Sequence, residues 1–308
     1  MISVVIPLYN KEQFIAKALQ SVLSQTYTNY EIIVVNDGST DTSEKEVNRF
    51  KDARLTLITI QNSGVSKARN LGVKHAMYSW IAFLDADDWW APTFLESMVY
   101  AIKEYPNHKV FATGRSRIFA AKTERYQHCF LPKNETTATV NYFKVISKFL
   151  APINASNGLM DKELIIEKGL FREGMKQHED HDLWIRICEN NPVVFINKEL
   201  SFYQKSITNS ASTFSFSATD FATYVKTIQA VNTNLSENEK LYFKEYFQRF
   251  ITIMYFKNSG SFSKSEKEQL LVQFLSLIKN KKYRWLIWFI HNTSKIPIYK
   301  FLKTFKLS

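Results

Sequence analysis

Four short apolar runs within about the first ninety residues, each halted by polar side chains, restrict the fold more than any other feature of the chain. They are Ile2 to Leu8, Glu31 to Val35, Leu55 to Ile60 and Trp80 to Leu84. Between the first two, Phe14, Ile15, Ala18, Leu19, Val22 and Leu23 recur at helical spacing, with Asn10 as N-cap and Gln13 three residues on. A second helix is predicted over Ser66 to Tyr78. Strands alternating with helices predict an α/β fold, a mostly parallel sheet flanked by helices. In open sheets of this kind the ligand crevice lies beyond the carboxyl ends of the strands. Tyr9, Asp37 and the cluster Asp85-Ala86-Asp87-Asp88 are therefore expected to converge there.

The middle of the chain, Val110 to Ser212, is less regular. An extended stretch is expected near Phe111 to Phe119, and a helix over Asp182 to Glu189 after His178-Glu179-Asp180. From about Phe216 the pattern turns helical. Ser236 with Glu239 and Ser263 with Glu266 have the capping-box form ahead of the apolar-periodic runs Leu241 to Tyr255 and Leu270 to Ile278. The expected organisation is a catalytic domain over 1–215, with halves 1–110 and 111–215, and a helical extension over 216–308.

Composition removes several classes. Of 308 residues, 45% are hydrophobic and 22% charged, which excludes a disordered or fibrous chain. No two of the eight glycines are separated by a single residue, so a GxGxxG dinucleotide turn cannot be written. Gly169 and Gly174 have P-loop spacing, but Met175 follows where Lys-Ser/Thr is required. Cys129 and Cys188 form neither a disulfide framework nor a zinc motif, which favours the cytosol. The run Ile2 to Leu8 is too short and lacks the flanks for a signal peptide or a membrane span. The net charge of +11 is concentrated: no carboxylate side chain follows Glu268, while eight Lys and Arg residues do, leaving about +3 over the preceding chain and no nucleic-acid footprint.

The runs SVVIPLYN, VVNDGSTD, NSGVSKARNLG, FLDADD and HEDHDLWIRI, in that order over roughly residues 1 to 212, resemble the inverting family 2 glycosyltransferases of the GT-A fold. Such enzymes transfer a sugar from a nucleotide diphosphate donor to a hydroxyl, so negative charge on the departing diphosphate must be stabilised. The resemblance makes Asp87 the ligand of Mn²⁺ or Mg²⁺, and Asp85 a contact to the ribose or to the water shell of the metal. A hard divalent cation suits carboxylate and diphosphate oxygens. Asp37 is implied to accept the N3–H of uracil, which favours a UDP-sugar donor, and Tyr9 to lie against the base. Pro7 and Ala86 belong to the same nucleotide-binding set, and Arg69 reaches base or diphosphate, a part Lys67 could also play.

Asp180 is implied as the base for the acceptor hydroxyl, with Asp182 as partner of the following helix N-terminus and His178 and His181 in the acceptor pocket or on the surface. Attack opposite the leaving group inverts the anomeric centre. Asp88 is left between a metal-site role and a loop or helix-capping role. Relatives carry a histidine after the catalytic region where this chain reads Tyr203-Gln204-Lys205-Ser206. Sugar-contacting residues are expected around Asn154 to Asp161 and Gly174 to Glu179.

From Lys279 onward, Lys and Arg interleave with Trp285, Trp288, Phe289, Phe301 and Phe305, a composition suited to an anionic membrane interface. The expectation is peripheral contact with the inner face of the plasma membrane, where a glycan or lipid-linked acceptor of bacterial surface polysaccharide or lipo-oligosaccharide synthesis would be presented. A groove on another transferase subunit is the alternative partner. The competing functional readings are a catalytically silent nucleotide-binding scaffold and a nucleotidyltransferase; the latter lacks its glycine-rich triphosphate loop.

Overall fold

A computed structural model of the chain describes residues 1–148, 150–175, 177–205, 217–230 and 235–292. The elements run β1 (Ile2–Leu8), α1 (Ile15–Leu23), β2 (Tyr30–Asn36), α2 (Ser43–Asn48), β3 (Leu55–Thr59), α3 (Val65–His75), β4 (Trp80–Phe83), β5 (Trp89–Trp90) and α4 (Phe94–Glu104). They continue with β6 (Val110–Ile118), β7 (Thr123–Arg125), β8 (Thr137–Val140), α5 (Tyr142–Ile146), β9 (Gly158–Asp161), α6 (Lys162–Glu167), α7 (Glu179–Ile187) and β10 (Val193–Gln204). Four helices follow: α8 (Ala218–Ala230), α9 (Glu237–Asn258), α10 (Lys264–Leu277) and α11 (Lys281–Asn292). The chain divides into two compact units, Met1–Tyr142 with Pro152–Ile207, and Phe143–Ala151 with Thr208–Ser308.

Among the described residues the first unit is built on one mixed sheet of order β3-β2-β1-β4-β9-β6-β10-β5, with β7 against β6 and β8 against β10. The pairs β1–β2, β2–β3, β1–β4 and β6–β10 are parallel; β9 runs antiparallel to both β4 and β6. Side chains of β1 are buried on both faces, as befits a strand covered by helices on either side. Ile2, Val4, Ile6 and Leu8 share a core with Ala18, Leu19 and Val22 of α1 and Phe94, Leu95 and Met98 of α4. On the opposite face α3 lies close against the sheet: a Cβ at Gly72 would sit 2.3 Å from Val5 Cγ1. Period-2 alternation in β1 thus assigns alternate residues to the two helical layers.

Two expectations change. Asn10 does not cap α1, which begins at Ile15 with Phe14 preceding it; Asn10 adopts φ 48° and its side chain turns to another loop. The stretch after Val110 is not irregular but completes the sheet, through β6, β9 and the twelve-residue β10. Register shifts between Ile196 and Ser201 interrupt the period-2 pattern of β10, so its sequence does not alternate cleanly.

In the helical unit, both capping boxes form: Ser236 with Glu239 at α9 and Ser263 with Glu266 at α10. Phe274 of α10 packs edge-on to Phe221 of α8 and to Tyr255 of α9, with centroids 5.0 and 5.8 Å apart. Along α11, Tyr283, Leu286, Ile287 and Ile290 are buried. Trp285 and Trp288 are 49% and 53% exposed, so helical period divides the basic-aromatic segment into an inward apolar face and an outward indole face. No described helix is long and apolar enough to cross a membrane.

Candidate active site

Strand β1 has β2 on one side and β4 on the other, so the strand order reverses beside it and opens the crevice at its carboxyl end. Pro7 is buried within β1, whereas Tyr9, just past its end, is 47% exposed. The next residues are sewn to the loop after β2 and the first residue of α2. Thr40 N donates to Asn10 Oδ1 at 2.8 Å, Lys11 N to Ser43 Oγ at 2.8 Å, and Glu12 N to Asp41 Oδ2 at 3.1 Å. Beside them, buried Asp37 accepts from Ser63 N at 2.7 Å and Gly64 N at 2.8 Å, which fixes the loop leading into α3. Gly38 lies at φ +69°, and a Cβ there would approach Asn62 N to 2.7 Å, so this close approach of two loops requires glycine.

Arg69, buried on α3, joins the rest of the site. Its Nη2 donates to Asp85 Oδ1 and its Nη1 to Glu179 Oε1, each at 2.8 Å, while the guanidinium lies 5.2 Å from the Phe171 ring centroid. The acidic loop after β4 and the first residue of α7 therefore share one cation. Burial pushes the Glu179 carboxyl up, against the pull of Arg69. Asp180 next to it moves the other way. Burial would raise it, but the positive charges of His181, Arg69 and His178 and the bond from His181 N at 2.7 Å together hold it below the ordinary carboxylate range. An ionised, half-buried carboxylate at the first turn of a helix is also favoured by the helix dipole. His178, immediately before α7, sits at φ +60°, a left-handed geometry costing a non-glycine residue about 1–2 kcal/mol.

Neighbouring aspartates 87 and 88 have different partners. Asp88 is fully buried: Ser156 Oγ donates to its Oδ2 at 2.6 Å and Gln204 N to its Oδ1 at 3.0 Å, and burial pushes its carboxyl well up. Ser156 Oγ also accepts from Asp85 N at 3.1 Å. Asp88 is thus a tie between the acidic loop, the 154–157 loop and the end of β10. Asp87, two residues past Asp85 with buried Ala86 between, pairs with Lys11 Nζ at 2.7 Å. Burial and the charge of Asp85 raise its carboxyl, and Lys11 opposes them.

Two carboxylates, with one oxygen of Asp85 on Arg69 and one of Asp87 on Lys11, supply hard oxygen donors, which suit a divalent cation of the Mg²⁺ or Mn²⁺ type. Among the described residues no three His, Cys, Asp or Glu side chains form a complete cation cage.

The sites read from the sequence accordingly fall as follows. Asp85, Arg69 and the Glu179-Asp180 pair are linked directly; Asp37 anchors the start of the helix that carries Arg69; Asp87 is joined to the loop after β1. Tyr9 and Pro7 lie at the end of β1. Asp182 turns inward, fully buried against Arg186 and Arg172, with Arg186 Nη2 at 2.5 Å. Ser206 of the segment without histidine lies outside the described residues. Sequence reasoning missed Lys11, Glu179 as partner of Arg69, and Ser156. Their only advance signal was residence in loops already marked as functional.

Comparison with known proteins gives a consistent picture. Residues 3–158 match the profile of the family described as Glycosyl transferase family 2. An uncharacterized glycosyltransferase of Rickettsia bellii is 36% identical over 203 residues, 65% of this chain but 28% of that relative, so the chain spans under a third of its length. The UDP-Glc:alpha-D-GlcNAc-diphosphoundecaprenol beta-1,3-glucosyltransferase WfgD of Escherichia coli is 29% identical over 208 residues, covering 64% of this chain and 73% of that one. The crystal structure of S. aureus TarS 1-349 in complex with UDP-GlcNAc superposes with a TM-score of 0.71 at 20% identity, covering 94% of this chain and 87% of that one, a likeness of fold.

Proposed function

Because the chain belongs to glycosyltransferase family 2, we propose that it is an inverting transferase that moves a sugar from a UDP-sugar to a hydroxyl of a glycan or lipid-linked acceptor in bacterial surface-glycan synthesis. The observation that carries this reading is the Arg69 bridge, which brings the acidic loop after β4 to the start of α7. One acidic group can then face the diphosphate while another faces the incoming alcohol.

Asp37 keeps lone pairs beyond its two backbone bonds and can accept the N–H of a uracil edge; Tyr9 offers an exposed ring at the same rim. Pro7 and Ala86, both buried, one near Tyr9 and the other between Asp85 and Asp87 in the chain, would back the nucleotide at the same rim. Asp87 would hold a divalent ion, with Asp85 ordering its surroundings; when bound, the ion neutralises charge on the departing diphosphate. Asp180, held ionised by the surrounding cations, takes the proton as the acceptor oxygen attacks C1. A single base opposite the leaving group inverts the configuration, so an α-linked donor gives a β-glycoside. Arg69 keeps Asp85 and the 179–180 pair in mutual register.

The acceptor class is read partly from the exposed face of α11. Trp285 and Trp288 stand out beside Lys281, Lys282 and Arg284, an amphipathic pairing suited to an anionic lipid interface on the cytoplasmic leaflet. Lys295, Lys300, Phe301, Lys303, Phe305 and Lys306 lie outside the described residues. Flotation with anionic vesicles should fall sharply in a Trp285→Ser/Trp288→Ser variant; equal flotation would remove the membrane reading.

The enzymatic reading is tested by UDP release from a panel of UDP-sugars with Mn²⁺ or Mg²⁺ and a lipid-linked acceptor. Asp180→Asn should reduce release about 10²- to 10⁴-fold while leaving UDP binding unchanged. Binding of UDP without turnover of any donor would instead favour a silent nucleotide-binding scaffold.

A further inference from the structure

Two cations meet the two carboxylates that face the crevice, and they differ in kind. Arg69 is buried and doubly bonded, so it cannot leave Asp85 without stranding charge. Lys11 is different. Its ammonium reaches Asp87 at 2.7 Å at the end of a flexible side chain, with 20% and 13% of the two side chains exposed, so water and ions have access. Its backbone, by contrast, is held on both sides. Lys11 N donates to Ser43 Oγ, and Lys11 O accepts from Phe14 N at 2.9 Å and Ile15 N at 3.0 Å at the entry to α1. Any movement of the charge is therefore confined to the side chain.

Asp87 also lies close enough to Asp85 to feel its charge, so without a cation the loop carries an electrostatic penalty that Lys11 relieves. Resting on the metal-assisted reading above, we propose that Lys11 is the chain's own counter-cation for Asp87: it occupies the carboxylate until a divalent ion takes its place, and the released ammonium then turns to the diphosphate oxygens of the donor. For Asp85, Asp87, Arg69 and Lys11 the charge is balanced both in the empty protein and once ion and diphosphate are bound. A bare acidic loop is avoided in the empty protein, and the ammonium becomes available when the doubly negative diphosphate arrives.

The test uses the full chain and two binding measurements independent of turnover: Mn²⁺ affinity without nucleotide, from the electron paramagnetic resonance signal of free Mn²⁺, and UDP affinity with Mn²⁺ present, from calorimetry. Lys11→Met keeps the backbone bonds and loses the charge; it should bind Mn²⁺ on the order of fivefold more tightly, the scale of a partly exposed ion pair, and bind UDP more weakly. Lys11→Arg, which keeps the cation, should resemble wild type in Mn²⁺ affinity. Asp87→Asn should lose Mn²⁺ binding with or without Lys11. Unchanged or weaker Mn²⁺ binding by Lys11→Met overturns the counter-cation role, and tighter Mn²⁺ binding with unaltered UDP affinity overturns the hand-off to the diphosphate. Failure of wild type to bind UDP under any condition refutes the UDP-sugar reading on which the proposal rests, an outcome separate from both.

Discussion

The sheet-based unit and the helical unit differ in what their buried polar groups hold together: loops around a crevice in the first, helices in the second. In the first, Asp88 is bonded by Ser156 and Gln204, Asp37 by Ser63 and Gly64, and Arg69 by Asp85 and Glu179, partners that include residues from distant segments of the chain. In the second, Gln248, Thr252 and Asn258 each donate to a carbonyl one turn back in their own helix, bonds such as Asn280 N to Gln248 Oε1 and Tyr283 Oη to Glu245 Oε1 tie helix to helix, and the interior mixes aromatic and aliphatic side chains. Local satisfaction stabilises a helix wherever it lies. Long-range satisfaction fixes the relative position of loops, which is what a reaction centre needs. Changes in the first unit should therefore act on activity and geometry together, and changes in the buried core of the second on stability.

The sharpest challenge to that contrast is Arg69→Met. Stranding two carboxylates at a buried bridge should cost about 3–5 kcal/mol and abolish donor turnover; thermal unfolding with UDP-release assays reads both, and retained activity would break the contrast. Phe274→Ala, which empties a fully buried site among Phe221 and Tyr255, should cost about 3–5 kcal/mol in the helical unit. Calorimetric unfolding should register it while UDP affinity stays at the wild-type value; a parallel fall in affinity would show that the two units are not separable in this way. Ser263→Ala removes one half of the exposed capping box of α10 and should cost about 1 kcal/mol, with no kinetic effect.

The smallest effect is one of pH. Burial alone would raise the Asp180 carboxyl, but His181, Arg69, His178 and the bond from His181 N together hold it below the ordinary carboxylate range, with His181 the largest of these, so the base stays ionised as the solution is acidified. Taking that cation away in His181→Gln raises the carboxyl, and the acid limb of kcat/KM should move to higher pH. A profile superposable on wild type would assign the limb to a different group.

Much of the scaffold was legible beforehand because its signals are short-range. The strands β1 to β4 announce themselves as apolar runs, and both capping boxes are four-residue patterns whose bonds form within one turn. Strand β10 was not legible, since the irregularity around Asn197 and Lys198 destroys the alternation by which a strand is recognised. Asn10 misled for a related reason: its residue type suits a cap, but a left-handed backbone and a bond from Thr40, thirty residues on, put it to another use.

The acidic loop separates what local pattern decides from what folding decides. Residue order put Asp85, Asp87 and Asp88 at a strand end, and the resemblance to the family marked Asp87 and Asp180 as the chemically interesting carboxylates. Nothing in FLDADD says that Asp88 becomes an internal tie while Asp87 faces a lysine in the crevice. That allocation was made by Ser156, Gln204 and Lys11, which come from distant segments. A buried charge is tolerated only where a partner meets it, and partners drawn from remote parts of a chain exist only once the chain has folded.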